Sequence, residues 1–178
     1  RAMANDDLGA FRDLGAGLGQ AAALSVETDA FAMIIANSGL GIAYGDGQNV
    51  FHSTHANIGP TGAMSVVTLD GARATMARQK DPSGNQYLAM RPAIWLGPVE
   101  LGGQAKQINS STSDPTDAKN AGVGNRVLNM VRDVVDSPFL SAQSVTRHYL
   151  LADPGVNPAF AVGFLDGDAG LAQFTDEK

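Results

Sequence analysis

The sequence predicts an α+β fold, with helices first and antiparallel strands late, because the two kinds of hydrophobic periodicity occupy different parts of the chain. Apolar residues recur at steps of three and four in the first third, which marks one face of a helix. Short apolar runs bounded by turn residues fill the last third, as in strands. Helix and strand runs that do not alternate are typical of α+β proteins. A chain of 178 residues suffices for one domain or two small ones.

Helical patterns are found in four places. Residues 8–18 and 20–37 form two successive stretches, and Asn37-Ser38-Gly39 supplies a stop signal. A third helix is predicted over residues 68–80 with Thr68 as its cap. A fourth covers residues 99–108, with Pro98 at the first helical position.

Extended segments follow the turn at residues 81–85, whose Asp, Pro, Ser, Gly and Asn all favour turns. Residues 87–96 are predicted to be extended, with Pro92 at a bulge or an edge. Three later strands are predicted over residues 127–135, 145–152 and 159–165. Residues 109–125 offer little to bury, so we expect a mobile polar loop there.

Composition and charge exclude several classes of function. The chain has 12 Lys+Arg against 18 Asp+Glu, a net charge of −6, whereas nucleic-acid-binding proteins usually present a basic face. We therefore expect no specific nucleic-acid partner. The absence of Cys excludes disulfides, thiolate metal sites and Cys nucleophiles. No apolar run approaches the roughly 20 residues of a membrane helix, so we expect no membrane partner either.

Candidate chemistry is confined to a few polar side chains. His52 and His55 lie three residues apart near Asp46 and Asn57, but a catalytic zinc site needs a third protein ligand. The alternative is that both histidines hydrogen-bond the loop backbone and fix a turn.

A serine triad is not favoured either. His148 has Ser144 and Asp153 near it in sequence, without the Gly-x-Ser-x-Gly context of a nucleophile elbow. The glycine-rich residues 39–47 follow a helix rather than a strand, unlike a dinucleotide-binding loop. Asp166 and Asp168 lack the remaining calcium ligands and are predicted to form a hairpin turn. We assign no catalytic, cofactor-binding or metal-ligating residue and expect no cofactor.

Residues 46–58 carry the most specific pattern in the chain, Asp-Gly, then apolar-Phe, then His and Asn in a short loop. This pattern resembles the major capsid (head) proteins of tailed bacteriophages, in particular the Mu-like major head subunit group. Later features follow in the family's order: a helix ending in Gln79-Lys80, the turn at 81–84, the extended segment 87–98, the helix 99–108, the segment 127–138 and the run 149–154.

The resemblance implies the Hong Kong 97-type capsid fold, with axial and peripheral domains, and a structural rather than enzymatic role. Some members of this group are fused behind a ClpP-like prohead protease, but no protease motif is present in these residues. The family's N-terminal arm and its final strand after Gln173-Phe174 are not recognisable. We therefore expect residues 1–178 to be a single, trimmed capsid-protein fragment.

The function expected from this resemblance is self-association into capsomers of a phage or prophage head. Its partners would be copies of itself, with a scaffold and a prohead protease. It would reside in the virion, and in the host cytoplasm during assembly. Two alternatives stay open: a prohead serine protease or small metal hydrolase using His52 and His55, and a decoration or adaptor module that binds preformed shells.

Overall fold

The computed structural model of the chain describes residues 7–117 and 122–161, with residues 7–14 described by their backbone only. The chain divides into two compact units. One contains the first helix up to Ala32, and the other spans Met33–Phe160. The domain boundaries implied by the family resemblance stay a prediction.

Helix α1 spans Asp7–Gly39, so the two predicted helical stretches form one element. The three glycines at positions 15, 17 and 19 do not interrupt it. Its last turn is not helical: Ala36 is extended, and Asn37 and Ser38 have positive φ angles of 51° and 59°. Asn is among the residues that tolerate the left-handed region, and Gly39 continues the positive φ at 79°. The predicted stop at residues 37–39 is confirmed.

Helix α2 spans Val66–Ala77 and begins two residues before Thr68, the cap expected from sequence. Ser65 is the N-cap, and its Oγ accepts the backbone N–H of Thr68 at 3.2 Å. Thr68 Oγ1 in turn accepts the backbone N–H of Ser65 at 2.9 Å, which completes a capping box. The prediction of Thr68 as the cap is wrong, because Thr68 is the reciprocal partner inside the first turn.

Three strands form one small mixed sheet: β1 at Pro92–Gly97, β2 at Asp133–Asp136 and β3 at Tyr149–Ala152. The spatial order is β2-β1-β3. Strand β3 is antiparallel to β1, with an irregularity between Pro92 and Ile94, where a bulge was predicted. Strand β2 is parallel to β1, so the expectation of antiparallel strands is wrong for this pair. Helix α3, Val99–Ser110, lies between β1 and β2 in the chain, and such a crossover permits parallel pairing.

The late strands are shorter than predicted. In the predicted strand 127–135, only the last three residues belong to β2, and turns cover 126–129. Helix α4, Pro138–Gln143, was not predicted. Ser137 is its N-cap and Pro138 its first residue, whereas the sequence suggested only that a strand ends at these two residues. Residues 145–148 and 87–91 are not in strands. Of the predicted strand 159–165, residues 159–161 are not in a strand and the rest lie outside the described residues.

The core lies where α2, α3 and β1 meet. It is a cluster of buried apolar residues: Met64, Val66, Leu69, Trp95, Ala105, Ile108, Val127 and Val131. Trp95, the single tryptophan, is 1% exposed and occupies the centre of β1. Large aromatic side chains bury more surface area than other residue types. The stability of the Met33–Phe160 unit therefore depends strongly on Trp95.

The described part of the predicted loop 109–125 is tied together by hydrogen bonds. The backbone N–H of Asp114 donates to Val123 O at 2.8 Å, and that of Asn125 donates to Thr112 O at 3.0 Å. Asp114 is buried and accepts the hydroxyl of Thr116 at 2.6 Å, a bond that lowers the pKa of this carboxyl. Residues 118–121 lie outside the described residues, and the mobility of the loop stays a prediction.

Candidate functional site

The predicted histidine pair lies in a compact segment that we call the histidine loop, residues 43–57. Its first half is a tight turn, in which the Tyr44 N–H donates to Gln48 O at 2.7 Å and the Gly47 N–H donates to Tyr44 O at 2.9 Å. Asp46, at the tip, accepts the Gln48 N–H through Oδ1 at 3.0 Å. This geometry leaves the second carboxylate oxygen of Asp46 free to contact the other half of the loop.

His55 joins the two halves of the histidine loop. Its Nε2 lies 2.8 Å from Asp46 Oδ2, and its Nδ1 lies 3.0 Å from Val50 O. The hydrogen bond to the Asp46 carboxylate, supported by the Val50 carbonyl, raises the pKa of His55. The same bond lowers the pKa of Asp46. Hydrogen bonds that favour the charged forms account for both directions.

His52 orders the second half of the loop. It is the N-cap of a 3-10 turn at Ser53–His55, and its side chain accepts the Thr54 N–H. The His52 N–H donates to Asn57 Oδ1 at 3.0 Å, and Asn57 Nδ2 donates to Val50 O at 2.7 Å. Both histidines therefore hydrogen-bond the loop backbone and fix a turn, which is the alternative that the sequence offered.

Metal ligation has little support in this geometry. The two imidazole centroids are 6.2 Å apart in an edge-on arrangement, and both nitrogens of His55 are already engaged. Among residues 7–117 and 122–161, no group of three or more His, Asp or Glu side chains is placed to hold an ion.

Ser144, His148 and Asp153 are not brought together as a triad. His148 stacks on Trp95 with centroids 5.8 Å apart, and burial lowers its pKa. Ser144 Oγ accepts the Arg147 N–H at 3.2 Å, whereas the Asp153 carboxylate pairs with Arg132 at 3.1 Å. Each side chain thus stabilises a different local structure, and no hydrogen bond joins the three within the part of the chain that is described.

Residues of β1, β2 and α3 line a groove of about 550 Å³. Its lining includes Ile94, Val134 and Val135 together with the cations Lys106 and Arg132. Both cations already face carboxylates, Lys106 facing Asp136 at 3.9 Å and Arg132 facing Asp133 at 2.8 Å. The groove is open and its charges are paired, which suits a surface contact better than an enclosed reaction site.

Comparison with known proteins decides the family. A family model described as phage capsid protein matches residues 1–177. The chain belongs to the phage capsid protein family. No significant match was found among curated proteins or among solved structures.

Membership assigns this phage capsid protein a structural role in the head of a virion, and its surface fits such a role. Several large apolar side chains of the Met33–Phe160 unit are exposed, including Tyr44, Val67, Tyr87, Val99 and Val145. Scattered exposed apolar residues are normal in monomers, but here they accompany a sheet of three short strands with two edge strands. Such edges are sites where other chains can pair.

Helix α1 of the capsid protein is apolar, and most of its described side chains are exposed. Its segment Gly15–Gly39 has 25 residues and is long and apolar enough to cross a membrane by length and composition, and little of it is buried. The sequence contains no continuous apolar run of this length, and the segment qualifies because a helix rich in Ala reaches a high mean hydropathy without one. The same test is passed by core helices of soluble proteins and by signal sequences.

Sequence reasoning missed the residues that organise the surface between α3 and β2. Asn109 pairs with the backbone of Val131 through both side-chain atoms, at 3.0 and 3.1 Å. Asn125 Nδ2 donates to Ser111 O at 2.8 Å and also to Ile108 O. In sequence, Asn109 and Asn125 belong to a Ser/Thr/Asn-rich segment that indicated only a loop. Their anchoring role becomes visible only when folding brings the backbone groups that they hydrogen-bond close to them.

Proposed function

We propose that this capsid protein acts without enzymatic activity, by associating with copies of itself into capsomers that form the head shell of a tailed phage. We further propose that it is of the Mu-like group and has the Hong Kong 97-type fold, as its motif order suggests. The observation that carries the proposal is the exposed apolar surface of α1. The match to the capsid family over residues 1–177 supports it.

The exposed apolar side chains of α1 supply the driving force for association between copies of the chain. Leu18 is 58% exposed and Leu24 is 55% exposed, and Val26 is also exposed. Removing apolar surface from water contributes about 25 cal/mol per Å², so covering this helix with a second copy stabilises both chains. Association of the folded state then adds to stability by mass action, as expected for a subunit whose own core is small.

A membrane is a poorer match for the same helix. Glu27 and Asp29 lie at the middle of the Gly15–Gly39 segment, at the depth where a charged side chain is most costly. An Asp at the centre of a membrane helix costs about 2.5–3.5 kcal/mol on insertion scales. An interface between copies leaves such carboxylates at a polar rim, so we propose that protein rather than lipid covers α1.

The remaining expectations follow from this role. We propose that a scaffold and a prohead protease act on the protein during assembly, and that this assembly takes place in the host cytoplasm. None of the described side chains gives specific support to the protease or hydrolase alternative.

The test is light scattering and electron microscopy of the full-length protein, with variants in α1. We expect the wild type to form rings, tubes or shells in a concentration-dependent manner, and Leu24→Asp to weaken this assembly. Ser25→Asp, on the exposed neighbouring position, adds the same charge without removing apolar surface and serves as the matched control. A wild-type protein that stays monomeric at all concentrations, or that binds lipid vesicles or preformed shells instead, would overturn the proposal.

A further inference from the structure

We propose that His55 and Asp46 form a pH-sensitive latch that holds the histidine loop closed while the His55 ring is protonated and releases it when the ring loses its proton. The proposal rests on the hydrogen-bond geometry around one ring and does not depend on the proposed self-association.

The first step of the argument is that both nitrogens of His55 face acceptors. Nδ1 lies 3.0 Å from a carbonyl oxygen, that of Val50, and a carbonyl can only accept. Nε2 lies 2.8 Å from a carboxylate oxygen of Asp46, which accepts when ionised. A ring that satisfies both contacts must donate from both nitrogens, and only the imidazolium does so.

The neutral ring carries one N–H and therefore satisfies one partner. If the proton stays on Nδ1, the Nε2 lone pair faces the Asp46 carboxylate, and the two repel. If it stays on Nε2, the Nδ1 lone pair faces the Val50 carbonyl instead. The Nδ1–H tautomer loses the contact with Asp46, which joins the two halves of the loop. The Nε2–H tautomer loses the contact with Val50, which holds the ring within its own half, so the neutral ring cannot keep both.

The surroundings of His55 leave Asp46 as its charged partner in the described structure. The pKa of His55 is raised first by the hydrogen bond to Asp46 and then by the Val50 carbonyl. The other titratable group at the ring is His52, whose imidazole meets it edge-on at 6.2 Å. Arg78 of the segment after α2 lines a neighbouring groove with Ser53 and Ala56.

The sign of the pH dependence follows from the raised pKa of His55. A folded-state pKa above the ordinary value stabilises the closed loop fully below about pH 6.5, the ordinary value for histidine. This stabilisation is lost as the pH rises through the folded-state pKa. The latch is therefore closed in mildly acidic solution and open in alkaline solution.

Opening the latch would reach beyond the loop itself. The Val50 N–H donates to Ile42 O at 3.0 Å, and the Phe51 N–H donates to Leu40 O at 2.9 Å, which ties the loop to the segment after α1. The Phe51 ring lies 5.0 Å from that of Tyr149 in β3. The contact between Phe51 and Tyr149 is therefore the point at which the histidine loop meets the sheet.

The test is an NMR titration of the full chain from pH 5 to 9, following the His55 ring and the backbone amides of Gln48 and Val50. In the wild type we expect His55 to titrate above about pH 6.5 and both amides to shift with the same midpoint. In Asp46→Asn, the side-chain amide can donate to the neutral ring at Nε2. The His55 midpoint should then fall to about 6.5 or below, and the two amides should no longer report an opening.

His52→Gln is the matched control, because it removes the neighbouring imidazole and leaves the Asp46–His55 contact. It should keep the wild-type His55 midpoint. If assembly broadens the spectra, hydrogen exchange of residues 40–57 at pH 6 and pH 8, compared between wild type and Asp46→Asn, gives the same readout. The proposal is overturned if wild-type His55 titrates at the ordinary value. It is equally overturned if Gln48 and Val50 do not follow the ring, or if Asp46→Asn leaves the midpoint unchanged.

Discussion

Replacing Asn125 with Ala should destabilise the Met33–Phe160 unit, because this side chain joins the end of α3 to the segment leading into β2. Asn125 Nδ2 donates to Ser111 O at 2.8 Å and also to Ile108 O. Its Oδ1 accepts the Val127 N–H at 2.9 Å. The last carbonyls of a helix have no partner within the helix, so this side chain supplies what α3 lacks at its C-terminal end.

The magnitude follows from the three hydrogen bonds. Each contributes about 1 kcal/mol net to stability, which gives a loss of about 3 kcal/mol for Asn125→Ala. With a urea dependence of about 2 kcal/mol/M, the unfolding midpoint should fall by about 1.5 M. Asn125→Asp keeps the acceptor for Val127 but loses both donors and sets a carboxylate oxygen against two carbonyl oxygens, so we expect a loss at least as large as that of Asn125→Ala.

Urea unfolding followed by the fluorescence of Trp95 is a direct assay, because Trp95 is the single tryptophan and is buried in the same unit. Asn85→Ala is the matched control: Asn85 is exposed, and its contact with Asp81 is made by the backbone N–H. If Asn125→Ala unfolds at the same urea concentration as Asn85→Ala, the anchoring role assigned to Asn125 is refuted.

Four further predictions concern packing, capping, pH and mobility. Gly97→Ala would place a Cβ 2.6 Å from Trp95 Cζ2, and overpacking of this kind costs about 1–3 kcal/mol, which thermal unfolding should detect. Ser65→Ala removes the cap of α2 and should cost about 1 kcal/mol, measured by urea unfolding against Ser25→Ala as an exposed control. Burial against Trp95 lowers the pKa of His148, so its contribution to stability is present above about pH 6.5 and is lost as the pH falls through the lowered value. His148→Gln should accordingly flatten the fall in stability between pH 7 and pH 5, and an unchanged slope would contradict the assignment. If residues 109–125 are mobile, trypsin should cut at Lys119 before it cuts within α2 or α3; cleavage in those helices first would disprove the mobility.

Much of the local structure was predictable from neighbouring residues. The stop of α1 at residues 37–39 and the start of α3 near Pro98 depend on short-range backbone preferences, although Pro98 is the extended N-cap rather than the predicted first helical residue. The turn after Asp81 is also local, since Asp81 Oδ1 accepts the N–H groups of Asn85 and Gln86. The order of the motifs in residues 46–154 was sufficient to indicate the phage capsid family, which the family match over residues 1–177 confirms.

Only the tertiary structure decided what those elements contact. The parallel pairing of Trp95 with Val134 joins residues 39 positions apart, and no local preference encodes such a choice. Val127 and Val131 have strand-like composition, yet both are buried in the core outside any strand. The neighbours of the two histidines likewise decide their pKa values. The hydrogen bond to Asp46 raises the pKa of His55, and burial against Trp95 lowers that of His148. Sequence fixes which groups are available locally, and folding determines which distant groups share a hydrogen bond or a buried surface.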